Sequence, residues 1–427
     1  MSAPVRPTEA DLLSLFPEGT SLDTDGELLL GGCRASDLAD EFGTPAYVVD
    51  EAALRAQARR YRETLAAAWP SSTVVFASKA FPCTAAYRVM AEEGLSVDVA
   101  GGGELVMALA GGMDPARLVM HGNAKTDDEL AMAVEAGVGT IVLDNTDDID
   151  RLEKLAPREQ GVLVRVIPGI TGDTHAALET GSDSSKFGLP VAQAELAIER
   201  LRASDRLRLD GIHLHVGSGI MDSTPFAAAA RVAGELAARF GELAVFDLGG
   251  GLGARYTYDD HPPSIEEYVR ALADSAREHL PASARIMIEP GRSMVARSGV
   301  TLYRVVTVKR GTPTFVAVDG GMGDNLDVSL YQQRFEATMS GRVGGGDPVE
   351  LVGRHCESGD CLAHAVPLRD PQVGDVVAVP VTGAYCFTMA NNYNGARKPP
   401  VVFASGGTAR AVVRRETYAD LLARDLP

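Results

Sequence analysis

The sequence predicts an α/β protein in which a TIM-like (β/α)8 barrel over residues 45–300 is followed by a mainly antiparallel β domain over residues 301–427. Two textures carry this reading. In the first region, short β-branched runs alternate with longer Ala-, Leu- and Glu-rich stretches of helical periodicity, which is the signature of a parallel sheet. Eight or nine such units in this length favour a closed barrel over an open doubly wound sheet. Beyond residue 300 the texture changes, and strand-like runs are divided by Gly, Pro and Asp.

In chain order, the first 44 residues contain the strand-like "ELLLGG" and are expected to join the β domain. "AYVVD" precedes the helical "EAALRAQARRYRETLAAAW", "STVVFASKA" precedes "CTAAYRVMAEEG", and "SVDVA" precedes "GGELVMALAGG". "RLVMHG" leads into "TDDELAMAVEAG", "TIVLD" into "TDDIDRLEKLA", and "GVLVRVIPG" follows. "LDGIHLHVGS" with "PFAAAARVAGELAARFG", then "LAVFDLGGG" and "ARIMIEPGR", complete the barrel pattern. The later strand runs include "VTLYRVVTVKRG", "PTFVAVDGG", "PVELVGRHC", "DVVAVPVTGAY", "PPVVFASGG" and "TARAVVRRE", with a short closing helix near "ETYADLLARDL".

The 427 residues are 45% apolar and 23% charged, a globular composition with ample material for a core. The net charge of −18 is spread along the chain and argues against a nucleic-acid partner, which needs basic clusters. Five cysteines, Cys33, Cys83, Cys356, Cys361 and Cys386, are odd in number and scattered, which suits a reducing cytosol better than a disulfide framework. The N-terminal "MSAPVRPTEADLLSLFPEG" has no apolar core of signal-peptide length, and no run reaches membrane-spanning length. A cytoplasmic protein with no membrane partner is expected.

Chemistry-bearing residues collect where the barrel strands end, as this architecture requires. "VVFASKAFPC" ends an apolar run in Lys79, whose amine either reaches solvent or is retained to form a covalent imine. "DLGGGLG" follows another apolar run; it is a tight turn or a cradle whose N–H groups approach an anion. "IHLHVGSG" puts His213 and His215 on one strand. Two histidines so placed could ligate a metal, but without a matching zinc-spaced cluster an imidazole stacked on a flat cofactor, with Ser218 bonding a phosphate, fits better. "IEPGR" offers Glu289 and Arg292, paired with each other or turned toward a ligand.

These pieces, together with "SVDVAGGGEL", "MHGNAKTDDEL", "THAALETGSDSSKFGL", "VDGGMGDN", "CESGDCLA" and "GAYCFTMANNYN", occur in an order that resembles the fold-type III pyridoxal-phosphate decarboxylases, and among them the diaminopimelate decarboxylase family. The resemblance spans nearly the whole chain and implies the alanine racemase-like fold, a carboxy-lyase activity and pyridoxal 5'-phosphate as cofactor. By motif, Lys79 matches the lysine that holds the cofactor, and His215 the histidine that stacks on its ring. Ser218, Gly250, Gly251, Pro290, Gly291 and Arg292 match the phosphate side, and Glu289 the acid facing the ring nitrogen. Tyr385 matches a tyrosine touching cofactor and substrate, Cys356 the proton-donor cysteine, with Lys79 as the alternative donor, and Glu357 a ligand of the substrate amine. In the family the last two come from the other subunit, so the resemblance implies a homodimer with shared active sites. A racemase of the same fold would share the barrel and the lysine, but "CESGD" and "GAY" with "NNYN" fit decarboxylases better.

The match departs from the family at one place. An Arg-Pro pair that binds the substrate's far carboxylate is replaced by Asp327 and Val328, ahead of the retained Tyr331. The reversal should repel a carboxylate and forfeit a charge-assisted bond of roughly 1.5–3 kcal/mol. Either Arg292 or Arg334 supplies the contact to diaminopimelate, or the substrate is another basic, N-acylated or carrier-linked amino acid.

Overall fold

The computed structural model describes residues 7–156, 159–167 and 185–426; most of the "THAALETGSDSSKFGL" stretch lies outside them. The chain forms two compact units, one of Gln57–Gly253 and Pro262–Met294, the other of Met1–Ala56, Ala254–His261 and Val295–Pro427.

The first unit is a closed parallel barrel. Its strands are β1 (Ser72–Ala77), β2 (Ser96–Val99), β3 (Leu118–Met120), β4 (Thr140–Leu143), β5 (Gln160–Arg165), β6 (Leu207–His213), β7 (Val245–Asp247) and β8 (Arg285–Ile288). They pair in chain order, and β8 returns to β1. Val75, Val119, Val142, Leu163 and Met287 form one buried cluster from five of these strands. The helices cover the sheet through single apolar stripes. Ile265–His279 buries Ile265, Tyr268, Val269, Leu272, Ala273 and Ala276, the three- and four-residue spacing of one helical face. It starts in a capping box in which Ser264 and Glu267 satisfy each other's backbone N–H groups, and Thr126 with Glu129 repeats the device before Asp127–Ala136.

One barrel expectation is corrected. Ala46–Asp50, the "AYVVD" run, belongs to a different sheet: it pairs antiparallel with Gly299–Lys309 and parallel with Val401–Ser405. All five of its residues are buried. A short, mostly apolar strand followed by a helix reads the same whether it ends in a parallel barrel or in the centre of a covered sheet, so periodicity could not separate the two.

The second unit is built on a nine-stranded mixed sheet. Its main path runs Cys361–Leu368, Asp347–Val352, Phe315–Val318, Gly299–Lys309, Ala46–Asp50, Val401–Ser405 and Thr408–Val413. Val376–Pro380 joins it through Gly299–Lys309 and also pairs with Thr338–Met339. Most neighbours are antiparallel. Leu12, Phe16, Leu28, Leu30 and Leu38 of the N-terminal segment pack in one core with Val48, Val300, Leu302, Val376 and Val402. The helix Tyr418–Leu422 lies near the C-terminus. Among the described residues, no helix is long and apolar enough to cross a membrane.

Candidate active site

The C-terminal ends of the barrel strands bring together a cluster of ionisable side chains. Lys79 sits in the single turn Ser78–Ala80 after β1, exposed between two buried neighbours. The turn is held by the Ser78 N–H, which donates to Asp98 Oδ1 on β2 at 2.7 Å. Burial pushes the Asp98 carboxyl up to about 7 and Glu289 adds repulsion, against the lowering pull of His121 and Lys79.

Glu289, the first residue after β8, is buried between two imidazoles. His121 Nε2, just beyond β3, stands 2.8 Å from Oε1, and His213 Nε2, the last residue of β6, stands 3.1 Å from Oε2. The two rings meet edge to face at 5.0 Å. Burial works to raise the Glu289 carboxyl, but the imidazoles outweigh it and hold the group well below the ordinary carboxylate range. Burial lowers His213 to about 4, so a neutral ring donates through Nε2 to an ionised carboxylate. Asp247, at the end of β7, goes the other way: burial and the neighbouring Glu289 charge drive it well above its usual value. Two adjacent acids are thus set in opposite protonation states. The donor atoms of His121, His213 and Glu289 lie within 4.8 Å of one another, a spacing already accounted for by the His213 hydrogen bond to the carboxylate and the close approach of His121 to its other oxygen.

These protonation states set a pH dependence. In the unfolded chain an imidazole takes up its proton near 6.5, whereas folded His213 stays neutral down to about 4. Between those values the unfolded state binds the extra proton, so this burial weakens folding as pH drops, by about 3 kcal/mol in all. Asp98 acts in the opposite sense, because the folded chain keeps its proton above the ordinary 3.8 and its contribution is lost as pH rises toward 7. His213→Gln removes the first of these contributions. Urea unfolding is expected to show the variant's stability change from pH 4 to pH 7 more negative than the parent's by about 3 kcal/mol. An unchanged difference would remove His213 as the titrating group.

His215 lies two residues past β6, half-buried, and its Nδ1 accepts the Gly250 N–H at 3.2 Å. This bond fixes the ring orientation and leaves the proton on Nε2. Burial first, then the Lys79 and Arg165 charges, hold the imidazole well below its usual pKa, hence neutral. Arg165 itself, ending β5, is buried 3.5 Å from Asp144 and lies over the Phe187 ring.

Around His215 the loops after β6, β7 and β8 close into a backbone cradle. The Ile220 N–H donates to Gly251 O at 2.9 Å, and the Glu289 N–H to Gly249 O at 2.8 Å. A Cβ on Gly250 would lie 1.9 Å from Glu289 O, and one on Gly251, at φ +123°, 2.4 Å from Gly217 O. No side chain fits at either place. Ser218 is half-buried at one rim; Pro290, Gly291 and Arg292 are buried at the other, Arg292 opening the short helix Arg292–Val295. A neutral imidazole face, an ionised carboxylate and a side-chain-free cradle flanked by Ser218 and Arg292 suit a flat heteroaromatic ring bearing a phosphate, so the residues fit pyridoxal phosphate.

The second unit holds the remaining residues singled out from the sequence. Cys356 and Glu357 are exposed on the turn that precedes Cys361. The Cys356 N–H donates to Asn394 Oδ1 at 2.9 Å, and Asp360 closes the turn by accepting the N–H groups of Met322 at 2.6 Å and His355 at 2.7 Å. Tyr385 is half-buried with φ +67°. Asp327 is buried at 1% exposure in the first position of the helix Asp327–Tyr331, with Tyr331 half-buried at its end and Arg334 exposed beyond it.

Sequence reasoning passed over His121, Asp98, Asp247 and Arg165. His121, Asp247 and Arg165 each end or immediately follow a barrel strand, and Asp98 is the next-to-last residue of β2, so the rule that singles out Lys79 and Glu289 reaches them too when every strand is considered.

Comparison with known proteins agrees with this geometry. The family described as "Pyridoxal-dependent decarboxylase, pyridoxal binding domain" matches residues 51–296. The chain is 46% identical to a diaminopimelate decarboxylase of Actinosynnema pretiosum subsp. auranticum, covering 96% of this chain and 95% of that protein. It is 42% identical to the diaminopimelate decarboxylase of Bacillus subtilis, with 97% and 98% covered. Among solved structures, it superposes with a TM-score of 0.90 on the diaminopimelate decarboxylase of M. jannaschii in complex with L-lysine, at 30% identity and over 96% of this chain and 98% of that one.

Proposed function

Because the chain belongs to the pyridoxal-dependent decarboxylases, in their diaminopimelate decarboxylase branch, and is a pyridoxal-phosphate-dependent carboxy-lyase, we propose that it converts meso-diaminopimelate to L-lysine and CO2. The observation that carries the site assignment is the ionised Glu289 held between His121 and His213 at the end of β8, next to the strand that presents Lys79.

When bound, pyridoxal phosphate supplies an electron sink for the pair left on the substrate's α-carbon as CO2 departs. Lys79 would provide the amine that holds the cofactor covalently. Glu289 keeps the ring nitrogen protonated, and the two imidazole N–H groups keep Glu289 ionised while excluding water from it. His215, neutral and pinned by Gly250, offers a flat face to the ring. Ser218, Gly250, Gly251, Pro290, Gly291 and Arg292 receive the phosphate end. Tyr385 contacts cofactor and substrate, Glu357 takes the distal amine, and Cys356 or Lys79 returns the proton to the α-carbon. The exposure of Cys356 and Glu357 supports their service in the site of a second subunit, hence a homodimer with shared active sites. The odd number and scatter of the five cysteines support a reducing, cytoplasmic setting. Cys356→Ala is expected to keep the visible absorbance of bound cofactor while losing turnover or product fidelity; unchanged kinetics would take Cys356 out of the reaction.

One observation favours a second reading. Asp327 stands where the family places its carboxylate-binding arginine, so a substrate without a distal carboxylate, such as another basic or a carrier-linked amino acid, meets less repulsion there. Measuring CO2 release from meso-diaminopimelate, ornithine and lysine in parallel tests both. The first reading expects diaminopimelate to give the highest kcat/KM, and preference for either of the others overturns it.

A further inference from the structure

Away from the catalytic residues, the strand pair Asp347–Val352 and Cys361–Leu368 carries an unusual side-chain cluster. Cys361 and His364 are three residues apart, which in a regular strand places them on opposite faces. The ladder is irregular here. Val352 pairs with Cys361, but Leu351 pairs with Ala363 and Val349 with Val366, so the second strand carries extra residues at two points. The first bulge reverses the alternation and puts His364 on the face of Cys361, opposite Glu350. Ala365, with φ +51°, makes the second bulge and donates its N–H to Glu350 Oε1 at 3.2 Å.

A thiol, an imidazole and a carboxylate therefore converge. His364 Nδ1 is 2.6 Å from Glu350 Oε2 and 3.4 Å from Cys361 Sγ, and Sγ is 4.0 Å from the same Oε2. A tetrahedral zinc with ordinary S, N and O bonds sets its donors roughly 3.3–3.6 Å apart. The sulfur–nitrogen edge already has that length; swinging the Glu350 carboxylate from the imidazole toward the sulfur equalises the other two. Cys361 is 7% exposed, whereas the His364 side chain is 73% exposed, so the fourth position opens to water. The Ala365 N–H on the free carboxylate oxygen is the kind of outer hydrogen bond that orients a metal ligand.

We propose that Glu350, Cys361 and His364 bind one Zn2+ ion per chain, completed by solvent. On binding, the Cys361 S–H proton leaves to solvent as the S–Zn bond forms, and the imidazole takes the tautomer with its proton on the exposed Nε2. A borderline-soft ion is favoured over Mg2+ or Ca2+ because two of the three donors are sulfur and imidazole nitrogen. Cys361 directly follows Asp360, which closes the turn bearing Cys356 and Glu357, so the ion fastens the strand at the base of that turn. The inference is independent of the substrate assigned above.

The test uses full-length holoenzyme stripped of adventitious metal with a chelator, with Co2+ as a spectroscopic probe and Zn2+ as competitor. One equivalent of Co2+ is expected to give tetrahedral ligand-field bands at longer wavelength than the cofactor absorbs, and Zn2+ should bleach them and raise the thermal midpoint. Cys361→Ala and the exposed His364→Ala should both lose the bands, and Cys356→Ala should keep them. No bands in the parent, unchanged bands in either His364→Ala or a folded Cys361→Ala, or their loss in Cys356→Ala, would overturn the site.

Discussion

Lys79→Ala is expected to abolish decarboxylation and the visible absorbance of enzyme-bound cofactor together. Removing a group that bonds covalently to the reacting system costs on the order of 10^4–10^6 in turnover when the other residues stay in place. Folding should be preserved, because the Lys79 side chain is exposed while Ser78 and Ala80 on either side are buried and Ser78 is tied to Asp98. The double readout separates chemistry from binding: cofactor should still enter the cradle, but without the absorbance of a lysine-linked imine. The variant also tests the dimer. Mixed and re-associated with a Cys356→Ala variant that has lost turnover, it should form heterodimers with one intact site. In a random mixture of subunits this recovers about one quarter of parental activity. Full activity of Lys79→Ala alone would end the mechanism; no recovery in the mixture would place Lys79 and Cys356 in one chain's own site.

The second large effect is expected from Glu289→Gln. The substitution keeps the shape but removes the charge, and it sets an amide N–H against an imidazole that now donates. One of His121 and His213 must turn an unprotonated ring nitrogen toward it, and the cofactor's ring nitrogen loses the anion that would keep it protonated. Loss of one preorganised electrostatic contact costs on the order of 10^2–10^3 in kcat. Cofactor should remain bound and coloured, since Lys79 and the glycine cradle are untouched. A kcat within about tenfold of the parent would show that the buried carboxylate does not face developing charge.

Much of this site is legible in the order of residues alone. Lys79, His215 and Glu289 each end or closely follow an apolar run, and a barrel fold sends such positions to one rim. Gly250 and Gly251 stand out as part of an unbroken glycine triplet. The partnerships are less legible. Nothing in "MHGNAK" says that His121 meets the carboxylate of "IEPGR", because the two stretches are separated by most of the barrel and adjoin only after closure. The directions of titration are likewise hidden. Asp247 and Glu289 are chemically alike, and only their neighbours make one hold its proton and the other shed it.

By itself, then, the sequence determined the alternation of strands and helices, the barrel, and the places along the chain where reactive groups appear. These are local properties, set by side-chain period and by turn chemistry within a few residues. The three-dimensional structure decided the rest: that Ala46–Asp50 pairs with strands near the far end of the chain, that Glu289 is shared by two imidazoles, and that paired bulges gather Glu350, Cys361 and His364 on one face. Each of these depends on contacts between residues distant in sequence and on desolvation at their meeting point, and neither exists until the chain has closed on itself.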